Sequence, residues 1–296
     1  MSSIQSAASS RASRASGVYP LLFVFLWSTG FIGAKYGLPY AEPLTFLLLR
    51  YAAVILLMST VAWATGARWP GSLRLWGHLA VAGCLIQAVY LGGVFMAIGQ
   101  GLPAGVVSLL VGLQPLLTAL LATLFLGDAV RGRQWFGLVL GILGTTMVLA
   151  GRIEGEFSLA GTVPALLALL GITLGTLYQK RFCPHFDWRT GAVVQFMAAA
   201  LVTLPVAWLV EGFHVRFTGE FFFALGWLVL VLSLGAISLL NYLIRQGSAV
   251  NVASLFYLVP PVTALIAWGL FGETLSLMSL MGLLVAVAGV ALVRRT

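Results

Sequence analysis

Apolar segments of nearly equal length recur along this chain. They fall near residues 19–34, 44–65, 73–98, 103–126, 135–150, 159–178, 190–210, 221–244, 250–271 and 276–293, with short breaks at Gly, Pro or charge between them. Each is close to the roughly 20 helical residues that cross a bilayer core about 30 Å thick. Strands of a membrane barrel need only about 10 residues and alternate in polarity. Lipid offers backbone N–H and C=O groups no partners, so the segments are expected to be helices. Composition closes the soluble alternatives. With 60% of residues hydrophobic and 8% charged, against about 25% charged in soluble domains, the chain cannot cover a water-facing surface. Its aliphatic and aromatic content excludes general disorder. The expected fold class is an all-α integral membrane bundle of ten transmembrane helices.

Basic residues give the orientation. With the N-terminus in the cytoplasm, the inner side holds Arg11, Arg14, Arg68, Arg74, Arg131, Arg133, Lys180, Arg181, Arg189, Arg245, Arg294 and Arg295. The outer side holds Lys35, Arg152 and Arg216, while Arg50 falls inside a helix. Short cytoplasmic loops retain Lys and Arg, so both termini are expected inside. That bias, with anionic inner-leaflet lipid, accounts for the net charge of +8 without a nucleic-acid partner. The Ser- and Ala-rich residues 1–17 read as a disordered cytoplasmic tail. A removable signal peptide is not expected, because the apolar run behind them reaches spanning length and lacks a clear cleavage site. Cys84, within a helix, and Cys183, in an inner loop, are too far apart for a disulfide.

Sliding the chain along itself by 145 residues aligns 104–148 with 249–293. Ala104, Leu113, Pro115, Thr118, Gly127, Gly137 and Gly144 fall on Ala249, Leu258, Pro260, Thr263, Gly272, Gly282 and Gly289. The acids Asp128 and Glu273 coincide, and upstream Gly30, Lys35 and Trp63 meet Gly175, Lys180 and Trp208. Chance matching in apolar sequence yields Leu, Ala and Val pairs, not Pro, Trp, Lys and acid pairs. The chain thus divides into two copies of one unit, 18–152 and 153–296, each with five helices. Five is odd, so the second copy enters the membrane in the opposite sense. Local charge agrees, since Arg131 and Arg133 align with Ser276 and Met278. Inverted repeats around a midplane substrate site are the architecture of secondary transporters.

The run Phe25-Leu26-Trp27-Ser28-Thr29-Gly30-Phe31 resembles the first-helix motif of the drug/metabolite transporter superfamily, EamA-domain branch. So do Phe46-Leu47-Leu48-Leu49-Arg50-Tyr51 and the paired endings from Pro115 to Asp128 and from Pro260 to Glu273. The resemblance covers residues 18–295. It implies ten helices in two inverted five-helix repeats around a central cavity, a bacterial inner-membrane location and export of small metabolites. Within the branch, the chain most resembles YddG-type exporters of aromatic and other amino acids.

Polar residues at bilayer depth are costly, so each is a candidate for substrate contact. Arg50 either pairs bidentately with a substrate carboxylate or snorkels and ties helices; its repeat mate is Gln195. Trp27 and Ser28 lie mid-helix where the resembled family lines its cavity, and Trp27 either stacks on substrate or packs. Gln87 and Tyr90, three apart on the third helix, share a face. His78 lies nearer the inner surface, as a structural or a functional residue. Asn241 and Tyr242 hold the comparable zone of the second copy. Gln114 and Tyr257 stand close to Pro115 and Pro260, where proline frees a backbone carbonyl. Tyr178 and Gln195 complete the set, as cavity residues or as interhelical hydrogen-bond partners. Gly137, Gly141 and Gly144 lie in an apolar helix with no strand before them, and Gly282, Ala286 and Gly289 repeat their spacing. Both groups read as packing faces, not as a dinucleotide loop.

The acids Glu42, Asp128, Glu154, Glu156, Asp187, Glu211, Glu220 and Glu273 all fall at predicted loops or helix ends. No carboxylate is left at the midplane for proton or sodium coupling, and His78 is the ordinary alternative. The sequence holds no phosphate loop and no metal-ligand constellation, so no cofactor is expected. The leading expectation is a secondary transporter, not an enzyme. It exports amino acids, aromatic ones among them, or related small metabolites by alternating access, as a monomer or weak homo-oligomer. An exporter of cationic drugs in the same fold is the alternative. A channel is hard to separate by sequence, and a lipid-modifying enzyme is far less favoured because the acids are scattered.

Overall fold

A computed structural model describes residues 2–102, 104–125, 130–149, 159–246, 249–271 and 277–294. In chain order its helices are α1 (Ser2–Gly37), α2 (Pro43–Ala64), α3 (Leu73–Gly99), α4 (Ala104–Val111), α5 (Gln114–Phe125) and α6 (Gly132–Leu149). They continue as α7 (Leu159–Phe182), α8 (Trp188–Val210), α9 (Gly219–Gln246), α10 (Ala249–Ser254), α11 (Val259–Phe271) and α12 (Leu277–Arg294). Residues 1–17, which the sequence marks as a disordered tail, have side chains outside the described residues. Asp128, Glu154, Glu156 and Glu273 also lie outside them.

The described residues show part of the expected ten spans. Among the described residues, five stretches are long and apolar enough to cross a membrane: α2, α3, α8, α9 and Ala160–Phe182 within α7. Shorter apolar helices cover Val18–Ala34, Val250–Thr263 and Leu280–Val293. Proline explains part of the difference, since it lacks the N–H that continues a helix. The chain leaves the helix at Gly112 and Leu113 just before Pro115. It tightens into a 3-10 turn at Leu255–Leu258 just before Pro260. These two breaks occupy the same place in the repeat.

A second irregularity is duplicated as well. The middle of α3 widens into a π-helix at Cys84–Leu91 and the middle of α9 at Leu228–Ala236. Allowing one residue, those stretches also coincide at the 145-residue offset. Helix starts follow ordinary capping chemistry. The Ser72 hydroxyl accepts from Leu75 N, Asp187 from Arg189 N and Thr218 from Phe221 N.

Repeat mates pack against each other head to tail. A side chain on Gly137 would strike Gly289 O and the Val293 side chain, and one on Gly144 would strike Gly282 O and Ala286. Gly137 is the mate of Gly282, and Gly144 is the mate of Gly289. The α6–α12 contact is therefore self-complementary, as an approximate two-fold axis requires. Small residues here let two backbones touch, the packing role their spacing predicts. The α2–α8 pair is also antiparallel. Leu44 N and Thr45 N at the start of α2 each donate to the Glu211 carboxylate beyond the end of α8, at 2.7 Å. At the other end, Arg189 donates to Thr65 Oγ1 at 2.7 Å.

The loop after α8 closes on the loop before α2. Arg216 N donates to Tyr40 O at 2.7 Å and Ala41 bridges Val215. Phe213 takes φ +57°, uncommon for a bulky residue. That turn brings Gly212 N and His214 N, each at 3.0 Å, onto one oxygen of Glu42. These bonds, His214 first and Gly212 next, hold the Glu42 carboxyl below its ordinary value of 4.5. A depressed carboxyl stabilises the fold above its unfolded value, and that contribution disappears as pH falls through the folded one. Glu42→Gln is thus expected to lower the melting temperature by about 2 °C at neutral pH, with the two proteins converging in acid. A gap that persists in acid would assign the effect to something other than this carboxylate.

A buried polar cluster at the centre of the bundle

Arg50, about two turns into α2, is fully buried. Its Nε donates to Ser233 Oγ at 3.0 Å, and that hydroxyl donates to Leu228 O at 3.0 Å within the widened turn of α9. The two terminal guanidinium nitrogens are buried without a hydrogen-bond partner. Tyr51 and Tyr90 stand close enough to act on the charge. On α3, Gln87 is fully buried and both atoms of its amide lack partners. Its backbone carbonyl accepts from the Tyr51 hydroxyl at 2.6 Å. Gln87 and Tyr90 lie in a π-helix, so the α-helical spacing that predicts a shared face does not apply there. Both are nonetheless buried.

An aromatic box adjoins these groups. Trp27 Nε1 donates to the Tyr90 hydroxyl at 3.2 Å, with the rings 6.0 Å apart and 13° from parallel. Phe256, from the 3-10 turn of the second copy, meets Trp27 edge-on at 5.3 Å. Beside them is a void of about 20 Å³ lined by Trp27, Gly30, Phe31, Ala34, Tyr90, Val94, Phe95 and Leu232. That is room for a water and little more. Among the described residues, the space beside the aromatic box is thus small in this conformation.

The other expected site residues divide among several places. Ser28 Oγ donates to Val24 O at 2.7 Å and to Val259 O at 3.2 Å, so it ties α1 to α11. The Tyr257 carbonyl, which Pro261 leaves without a helical donor, accepts from Thr145 Oγ1 at 3.3 Å. It is satisfied by the protein, while the buried Tyr257 hydroxyl has no partner. Gln114, whose Oε1 lacks a partner, borders a void of about 10 Å³ with Thr176 and Lys180. Gln195 donates to Gln179 Oε1 at 2.9 Å, and Gln179 donates to Asn241 Oδ1 at 2.8 Å. Asn241 and Tyr242 line a cleft of about 320 Å³ with Tyr19, Trp188, Ser238, Leu239 and Arg245. His78 Nδ1 lies 2.8 Å from the Tyr178 hydroxyl and its ring stacks on Phe182.

Sequence reasoning missed Ser233, Gln179 and Tyr51. Gln179 carries the same signal as Gln195, an amide in an apolar helix. Ser233 sits in the run Leu228–Ala236 with nothing to distinguish it until α2 is placed beside it. The described acids Glu42, Asp187, Glu211 and Glu220 all cap or flank helix ends, as their sequence positions predict.

A buried charge with two unpartnered donors is a cost that a same-sized apolar side chain removes. Arg50→Leu is expected to give a folded protein more stable by about 1–4 kcal/mol, read as a higher melting temperature in detergent. A lower one would mean that the folded state satisfies this guanidinium.

Comparison with known proteins places this architecture. The profile of the EamA-like transporter family matches residues 16–150 and 159–295. The uncharacterized inner membrane transporter YedA of Escherichia coli (strain K12) is 30% identical over 271 residues, 90% of this chain and 87% of its own. A probable amino-acid metabolite efflux pump of Salmonella typhimurium is 26% identical over 287 residues, 94% of each chain. A probable terminal-alkyne amino-acid exporter of Streptantibioticus cattleyicolor is 26% identical over 280 residues, 93% of this chain and 92% of its own. A crystal structure of another protein superposes with a TM-score of 0.78 at 19% identity, over 95% of this chain and 97% of that one, which shows a common fold. The chain, with two copies of one repeat, belongs to the EamA-like transporter family.

Proposed function

We propose that this protein is a secondary transporter of a bacterial inner membrane that exports amino acids, aromatic ones among them, or related small metabolites. In this reading the repeats 18–152 and 153–296 cross the membrane as ten helices in opposite senses, with both termini in the cytoplasm. Substrate binds between the halves, which rock to expose it to one side and then the other, and no cofactor takes part. The protein works as a monomer or weak homo-oligomer.

One observation carries the reading: a fully buried guanidinium with two unpartnered nitrogens at the meeting of the two copies. A carboxylate is the natural partner of that fork, and the aromatic box suits an apolar side chain. The same charge disfavours cationic drugs. The antiparallel pairing of α2 with α8 and of α6 with α12 supports opposite insertion of the copies. The relatives named as amino-acid metabolite efflux pump and amino-acid exporter support the substrate class.

Two measurements test this. With Cys84 and Cys183 replaced, single cysteines in place of Arg133 and Met278 are expected to react with impermeant reagents from opposite faces of the membrane. Labelling from one face would remove the inverted topology. In liposomes, the purified protein is expected to give saturable uptake of labelled amino acids, lost in Arg50→Leu despite its intact fold. Absence of flux for a full amino-acid panel would count against export.

A further inference from the structure

The Arg50 guanidinium has five N–H donors arranged as a planar fork. Nε is committed to Ser233 Oγ, and Ser233 commits its own proton to Leu228 O, five residues back in the π-turn of α9. With both roles filled, the serine hydroxyl is fixed in direction, and it fixes the plane of the guanidinium. The face that remains is the pair of terminal nitrogens, buried and unpartnered. Gln87 is tied to α2 at the next residue, because Tyr51, which follows Arg50, donates to its backbone carbonyl. Its amide adds a second unpartnered polar group, able to donate and to accept.

The cluster offers a substrate ammonium no matching charge. Among the described residues, the acids are Glu42, Asp187, Glu211 and Glu220, all at helix ends. Glu42 is committed to the N–H groups of Gly212 and His214, Glu211 to those of Leu44 and Thr45, and Asp187 to Arg189. What the cluster can read is a carboxylate end and an apolar body laid against Trp27, Tyr90 and Phe256.

Resting on the export reading above, we propose that Ser233 is the positioning residue that presents Arg50 to substrate. The site then takes small monocarboxylates with an apolar body, whether or not they carry an amino group. Amino acids are one subset of this class, and the corresponding deaminated acids are another.

The test uses the full chain in liposomes, with labelled phenylalanine and labelled phenylpropionate as substrates and phenethylamine as competitor. Phenylpropionate keeps the carboxylate and lacks the amine; phenethylamine is the reverse. Phenylpropionate is expected to compete within about threefold of phenylalanine, and phenethylamine at least about 30-fold less well, because a site built to bond one group rejects the analogue lacking it. Ser233→Ala is expected to raise KM for both acids about tenfold, the loss of one charge-assisted hydrogen bond, with the maximal rate kept. The gap between acid and amine narrows in the same variant, and Ser233→Thr, which keeps the hydroxyl, restores both. A loss of packing alone would not change that selectivity. Equal competition by acid and amine, or an unchanged KM and selectivity in Ser233→Ala, overturns the assignment while leaving export intact. Failure of both labelled acids to enter overturns the export reading and this assignment with it.

Discussion

Hydrocarbon supplies no hydrogen bonds, so each polar group that the bundle buries must find its partner within the chain. The protein meets this constraint with unusual local devices. A serine on α1 bonds carbonyls of α1 and α11, and Thr145 takes the carbonyl that Pro261 leaves free. The hydroxyl of Tyr51 takes a carbonyl of the π-helix in α3, and three side-chain amides from α8, α7 and α9 bond in series. Against this economy, the terminal nitrogens of Arg50 and the amide of Gln87 are left open, as are Gln114 Oε1 and the Tyr257 hydroxyl. Buried groups left open are where a polar substrate gains most by binding.

The same solvent shapes the packing. Lipid tails are as apolar as leucine, so helices associate through close approach and shared hydrogen bonds. The backbone contacts at Gly137, Gly144 and Gly289 and the carboxylate ties of α2 to α8 are these two means in turn. Because each contact joins a helix to its own repeat mate, the halves meet across surfaces that are copies of one another. On the proposed export reading, two such halves take alternative arrangements of similar energy, which is the requirement for opening to either side at modest cost.

Much of this was legible in the sequence, and the limits have physical causes. The repeat, the breaks before Pro115 and Pro260, the packing glycines and the end-of-helix acids all follow from residue type and spacing. Arg50 announced itself by the cost of burying a charge. The π-helices did not, because a change of helical period leaves no residue signature in an apolar run. The α-helical period that the sequence predicts for Gln87 and Tyr90 therefore gives way to a π-helical one, and Ser233 carries no signal of its own. Asn241 and Tyr242 share a zone with Gln87 and Tyr90 only if both copies line one cavity evenly. They instead line a cleft with Trp188 and Arg245.

That unevenness is itself informative. Positions that shape the backbone are matched between copies: Pro115 with Pro260, Gly137 with Gly282, Gly144 with Gly289. The positions bearing polar or aromatic chemistry at the centre are not matched. Arg50 faces Gln195 across the repeat, Trp27 faces Ile172, Gln87 faces Leu232, Tyr90 faces Gly235 and Ser233 faces Ala88. A symmetric scaffold holding symmetric chemistry would present two equivalent half-sites, each with its own charge. Here one copy supplies the charge and most of the aromatic surface, and the other supplies the serine that holds that charge in place together with Phe256. On the proposed reading, the scaffold keeps the symmetry that alternating access uses, while the substrate meets a single oriented fork. Gln195, where symmetry would have put a second arginine, is bonded into the amide series instead and is out of play. On that reading, one carboxylate at a time is the stoichiometry that this division of residues allows.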